Sequence, residues 1–149
     1  LRSAPDFDWP WAQHAAMILP NGNVFLFDNG AFRNFGAGTY SRAVEYEIDE
    51  TARTVRQVWA YGQERGPEMY SFIISDVDFL PETENRLITA GIVRLPNDPN
   101  TKIIELAYPG QEVVFEATLH LKNLRARGGA GQGQFDMIYR AERLALYPY

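Results

Sequence analysis

Apolar residues come along this chain in short runs of Val, Ile, Tyr, Phe and Leu divided by turn residues, and nowhere do they keep the spacing of an amphipathic helix. Such runs predict strands. Gln13 to Leu19 and Asn23 to Phe27 flank Pro20-Asn21-Gly22. An Asn-Gly step between apolar runs marks a tight hairpin, because both residues tolerate positive φ. Arg42 to Ile48 alternates so that Val44, Tyr46 and Ile48 share a face, and its partner Thr54 to Tyr61 is reached through the turn Asp49 to Arg53. The four strands form a meander.

The same plan recurs over Ser75 to Leu80, a turn at Pro81 to Asn85, Arg86 to Ile92, Lys102 to Ala107, a Pro109-Gly110 turn and Glu112 to Leu121. Leu19-Pro20 aligns with Leu80-Pro81 and Val58-Trp59 with Val114-Phe115, which defines two blade-like repeats over about 12–62 and 73–122. Each is slightly longer than the ~40 to 50 residues of the common propeller repeats. A glycine-rich loop over 125–134 leads to a final strand, Phe135 to Leu146, that has no hairpin partner in its own repeat. In a propeller such a strand completes a blade elsewhere in the ring. The predicted class is therefore all-β, a β-propeller of which this chain supplies about two four-stranded blades and a closing strand. Two blades cannot close a ring, so by itself the chain is expected to expose edges and to aggregate.

The 149 residues are 46% hydrophobic and 22% charged, which predicts a packed core and excludes a disordered chain. Net charge is -5 with Lys and Arg scattered, so there is no basic stripe for nucleic acid. No run reaches the ~18 apolar residues of a membrane span, and no charged-then-apolar signal segment opens the chain. Cysteine is absent, which removes disulfides and thiolate metal sites but does not fix a compartment. The opening Leu1-Arg2-Ser3 carries no initiator Met, and a fragment of a longer protein is expected.

Asp6-Phe7-Asp8-Trp9-Pro10-Trp11-Ala12-Gln13-His14 places one histidine at the start of the first innermost strand, directly after an aromatic-rich loop. In a propeller that strand end faces the central channel. Taken alone, His14 reads first as a hydrogen-bonded structural residue, since one histidine makes no motif. His120, late in the second repeat, falls on an outer strand and reads as structural or surface. Trp9, Trp11 and Trp59 read as core.

The residues flanking His14 change that reading. Gln13-His14-Ala15-Ala16, Pro20-Asn21-Gly22-Asn23, Phe27-Asp28-Asn29-Gly30 with Arg33, Tyr40-Ser41-Arg42, Tyr46-Glu47-Ile48-Asp49, Val58-Trp59, Tyr61-Gly62 and Glu64-Arg65-Gly66 follow in one order. This series resembles the C-terminal portion of the bacterial arylsulfotransferase (arylsulfate sulfotransferase) family, closely over about 7–79 and loosely beyond.

The resemblance implies a six-bladed propeller that moves a sulfuryl group from a phenolic sulfate ester to another phenol, without a nucleotide donor, cofactor or metal. It implies that His14, in the Gln-His-small-residue context, is the nucleophile, carrying the group as a sulfohistidine in a ping-pong cycle. Tyr139, in Ile138-Tyr139-Arg140-Ala141, resembles a family tyrosine that reaches the central pocket and binds substrate, with sheet packing as the plainer reading. Ile74 stands at the pocket rim where the family can carry Thr, a departure that bears on substrate identity. Arg33 and Arg42 read as inter-blade salt-bridging or turn-fixing residues before ligand contacts. Further His, Asn and Arg side chains of the family site would lie on other blades.

The partners implied are small phenolic sulfate donors and phenol acceptors, the remaining blades of a parent chain and a second copy in a homodimer, with no nucleic acid and no membrane. The implied location is periplasmic or secreted, and the isolated piece is expected to be inactive. Two other readings stay open: a non-catalytic propeller that binds without chemistry, and a metal hydrolase using His14 and His120, which no ligand spacing supports.

Overall fold

The computed structural model describes residues 1–36, 40–95, 98–120 and 137–144. Among the described residues eight strands follow in chain order: β1 (His14–Ile18), β2 (Val24–Asp28), β3 (Arg42–Asp49), β4 (Thr54–Tyr61), β5 (Asp76–Phe79), β6 (Arg86–Leu95), β7 (Asp98–Leu106) and β8 (Val113–His120). Short 3-10 turns at Arg33–Gly36 and Gln63–Glu68 are the only helical residues described. The strands form two four-stranded antiparallel sheets, β1-β2-β3-β4 and β5-β6-β7-β8, each a meander in sequence order.

Tight connections set the registers. Gly22, at φ +86°, donates its N–H to the Leu19 carbonyl, and Leu19 donates to the Asn23 carbonyl, closing the β1–β2 hairpin. The same closure recurs at the β5–β6 hairpin, where Leu80 donates to Asn85 O and Thr83 to Leu80 O. The β6–β7 ladder is longer than the sequence pattern predicts, pairing Arg94 with Pro99 and Leu95 with Asp98 beyond a register shift between Ala90 and Val93. Proline in that tip obscures the strand, because it removes a donor without ending the pairing of its neighbours.

Alternation assigns the faces. Phe25, Phe27, Ala43, Trp59 and Tyr61 of the first sheet meet Val77, Ile88, Ala90, Ile104 and Leu106 of the second in one buried cluster, with Met69 of the connection among them. Leu26, Val44, Tyr46 and Val55 occupy the opposite face of the first sheet, where Phe7 of the N-terminal segment covers them. Burying a side chain of this size contributes roughly 1.5–3 kcal/mol, so sandwiching β2 between two clusters fixes the strand that leads to Asp28 and Asn29.

Two sequence expectations change. Residues 137–144 form no strand; Ile138 N–H reaches Gly91 O and Ala141 N–H reaches Thr89 Oγ1, so this part of the expected 135–146 strand lies on the second sheet without joining a ladder. A side-chain acceptor takes the place of a backbone one, and a ladder cannot start. Of the three tryptophans, Trp59 is core, whereas Trp9 is 47% exposed beside Phe7. The loop expected over 125–134 lies outside the described residues.

Candidate functional site

Asp28 ends β2 and organises everything that leads to His14. One of its carboxylate oxygens accepts the N–H groups of Trp11 at 2.8 Å and Gly30 at 3.1 Å. The other accepts Arg33 Nη2 at 2.5 Å and Arg42 Nε at 2.9 Å. Arg33 also reaches Asp8 at 2.6 Å, and Tyr40 lies under the Arg33 guanidinium and donates its hydroxyl to Asp8. Both arginines are buried, and their pairs with Asp28 and Asp8 do not bridge the two sheets as an inter-blade salt bridge would, so they fix the turn and the N-terminal segment. Burial opposes the Arg33 charge, but hydrogen bonding to Asp28 and the fields of Asp28 and Asp8 outweigh it and raise its pKa above the ordinary value. Burial first, and the bond to Asp8 second, push the Tyr40 hydroxyl up.

From this anchor the chain enters β1 under strain. Gly30 N–H donates to Trp11 O at 2.9 Å, while Ala12 and Ala15 take φ of +54° and +53° and the β1–β2 register shifts between His14 and Met17. Left-handed alanines cost free energy and persist where surrounding contacts enforce them, often at functional sites. The bulge aims the half-buried His14 ring at Asn29: Nδ1 lies 2.7 Å from Asn29 Oδ1 and 3.2 Å from Ala12 O. No described residue hydrogen-bonds to Nε2.

Asn29 is fully buried, and its Nδ2 donates to Ser71 O and Ile74 O, both at 2.7 Å. Ile74 and Ser75 are also left-handed, at φ +54° and +98°. The Ile74 side chain is 3% exposed and packs at Gly91, so burial, not a pocket rim, is what the described residues give it. Its carbonyl is the group that serves His14, through Asn29.

Tyr139 is 63% exposed on the 137–144 segment, and no described hydrogen bond or ring contact joins it to His14. Ile74 and that segment do meet, at Gly91, where a side chain would overlap Ile138 O and the Ile74 side chain. His120 ends β8, the edge strand of the second sheet, while His14 begins β1 in the first. Among the described residues no group of three or more His, Cys, Asp or Glu is placed to hold a metal ion.

Sequence reasoning missed two residues. Asn29 stands in the sequence only as part of the Phe27-Asp28-Asn29-Gly30 motif with no role assigned, and its burial is what singles it out. Asp76, which opens β5 as His14 opens β1, pairs with Thr89 as His14 pairs with Phe27. Burial, with Asp78 beside it, pushes its carboxyl up to about 6.

The sequence matches the family described as Arylsulfotransferase (ASST) over residues 2–128. The arylsulfate sulfotransferase AssT of Escherichia coli O6:H1 is 38% identical over 119 residues, and that of Lelliottia amnigena 35% over 119. Each alignment covers 74% of this chain and 20% of the relative, so the chain spans about a fifth of the length of the curated relatives it matches. A family match over residues 2–128, with relatives 35–38% identical over 119 residues, shows that the chain belongs to the arylsulfotransferase family.

Proposed function

We propose that this chain carries the nucleophile of an arylsulfate sulfotransferase, and that its two sheets are adjacent blades of a six-bladed β-propeller. Family membership supports sulfuryl transfer between aryl groups, and one observation supports His14: the strained, bulged entry to β1 that holds its ring against a buried amide. In the first half-reaction a ring nitrogen of neutral His14 attacks the ester sulfur, the sulfur–aryloxide bond breaks and a phenolate leaves. In the second, an acceptor phenol loses its proton to a base, its oxygen attacks the sulfuryl group and the nitrogen–sulfur bond breaks.

Sulfuryl transfer resembles phosphoryl transfer in needing positioning and cationic contacts to the equatorial oxygens. Arg33 and Arg42 are committed to Asp28 and Asp8, so those contacts are assigned to blades outside this sequence. Substrates are expected to be phenolic sulfates, with Tyr139 as an aromatic contact, and the expected setting is periplasmic or secreted.

The test is intact-mass analysis of the full-length protein that contains this sequence, mixed rapidly with a nitrophenyl sulfate and mapped under mildly alkaline conditions. A sulfuryl adduct on the His14 peptide, absent in His14→Ala together with phenol release, is the expected result. Transfer retained in His14→Ala would sink the nucleophile, and no adduct with no phenol release would favour a non-catalytic binding propeller.

A further inference from the structure

Asparagine's two side-chain atoms are assigned by their surroundings, and at Asn29 the surroundings allow one answer. A single atom lies 2.7 Å from both Ser71 O and Ile74 O. Carbonyl oxygens accept only, so that atom is the NH2 group and the oxygen faces His14. Nδ1 of His14 then sits between two acceptors, Asn29 Oδ1 at 2.7 Å and Ala12 O at 3.2 Å, and must carry a proton. A neutral imidazole has one N–H, so Nε2 bears the lone pair.

We propose that Asn29 is the positioning residue of the sulfuryl-transfer reaction: it locks His14 in the Nδ1–H tautomer and leaves Nε2 as the attacking atom. This use of the tautomer rests on the proposed function; the tautomer itself does not. The Nε2–H form preferred by free histidine side chains would set a lone pair against two oxygens at Nδ1 and put a proton where the nitrogen–sulfur bond must form.

An amide suits this role better than a carboxylate. When Nε2 bonds to sulfur the ring becomes positive, with its proton still on Nδ1. A carboxylate at position 29 would stabilise that cation, as the aspartate of a catalytic triad stabilises imidazolium, and would hold the sulfuryl group more firmly. A neutral amide orients the ring and compensates its charge less, so the intermediate stays labile. Aspartate would also set its oxygens against Ser71 O and Ile74 O.

The amide is fixed from both sheets. Ser41 Oγ donates to Asn29 O at 2.8 Å and accepts Ser71 N–H at 2.9 Å. Ser75 Oγ donates to Ser71 Oγ at 2.9 Å, and these hydroxyls accept the N–H groups of Gly91 at 3.0 Å and Ile92 at 3.1 Å. The left-handed Ile74 and Ser75 belong to the same turn, which brings the Ile74 carbonyl onto Asn29.

The test uses long-range proton–nitrogen NMR on the full-length protein with 15N-labelled histidine, the His14 signals being identified by their loss in His14→Gln. At a pH where the ring is neutral, a pyrrole-like Nδ1 and a pyridine-like Nε2 are expected; an Nε2–H form in the wild type would overturn the proposal without needing a variant. Asn29→Ala and Asn29→Ser are expected to move the population toward Nε2–H and to cut kcat by about 100-fold with KM little changed. Unchanged tautomer and unchanged kcat in either folded variant would overturn it. If His14 forms no sulfuryl adduct but its tautomer still follows Asn29, the proposed reaction fails while the positioning contact stands.

Discussion

Arg86 of β6 donates to Glu45 of β3 at 2.9 Å, joining the two sheets through a buried ion pair. Asn21 and Asn23 of the first hairpin share the other Glu45 oxygen, and Tyr108 lies 3.8 Å beneath the Arg86 guanidinium, with Phe25 and Phe79 also near it. Removing one partner of such a pair leaves a buried charge and costs about 3–5 kcal/mol. Arg86→Met is therefore expected to lower stability by that amount, and replacing both partners by apolar residues to recover most of it. Urea melts of the single and double variants check this, and an additive double variant would show the pair does not act as a unit.

Glu45 also sets an acid limit. Burial pushes its carboxyl up, but hydrogen bonds from Asn23, Arg86 and Asn21 outweigh this and hold its pKa below the ordinary 4.5. A lowered folded-state pKa contributes stability above the unfolded value, and that contribution disappears as pH falls through the folded value. Melting temperature is expected to drop below about pH 4.5, and Glu45→Gln, less stable at neutral pH, is expected to show a flatter acid limb.

Asp76 acts in the opposite sense. Burial, then Asp78, raises its carboxyl to about 6, with Glu142 adding and Arg140 opposing. A raised folded-state pKa contributes stability at low pH that is lost as pH rises from about 4 to about 6. Asp76→Asn is expected to remove this loss and to stabilise the protein at pH 7 by about 1 kcal/mol after allowing for its partial exposure. Equal melting curves for the two proteins at pH 7 would count against a charged, desolvated Asp76.

Gly30 takes φ +70°, and a Cβ there would overlap the Tyr40 carbonyl and come 3.2 Å from Arg33 Nη2. Gly30→Ala is expected to cost about 3 kcal/mol or more and to loosen the Trp11 contact ahead of His14. Faster hydrogen exchange at Trp11 and Gly30 would report it directly.

The strand plan was legible because Asn-Gly chemistry and alternating apolar residues are local signals. The alignment of Trp59 with Phe115 also holds in space: each lies opposite a buried glutamate, Glu45 or Glu105, and each glutamate takes an asparagine from its own hairpin, Asn23 or Asn85. The proposal for His14 starts from its neighbours in sequence. The role argued for Asn29 has no such sequence signal, because its partners Ser71 and Ile74 lie more than 40 residues away. The sequence predicts a strand through 137–144 because composition does not distinguish a ladder from a chain held by Thr89 Oγ1 and by Glu105 through Arg143.

The hydroxyls of Ser71 and Ser75 are bonded to the backbone of the second sheet, while Ser71 also holds the amide that faces His14 in the first. In the proposed reaction the angle between neighbouring sheets is thereby a kinetic variable. A slide of one sheet by a fraction of an ångström would rotate the imidazole, and misplacement of about 1 Å can cost 100-fold in rate. On that proposal turnover is tunable from the buried packing of Phe25, Trp59 and Ile104 between the sheets.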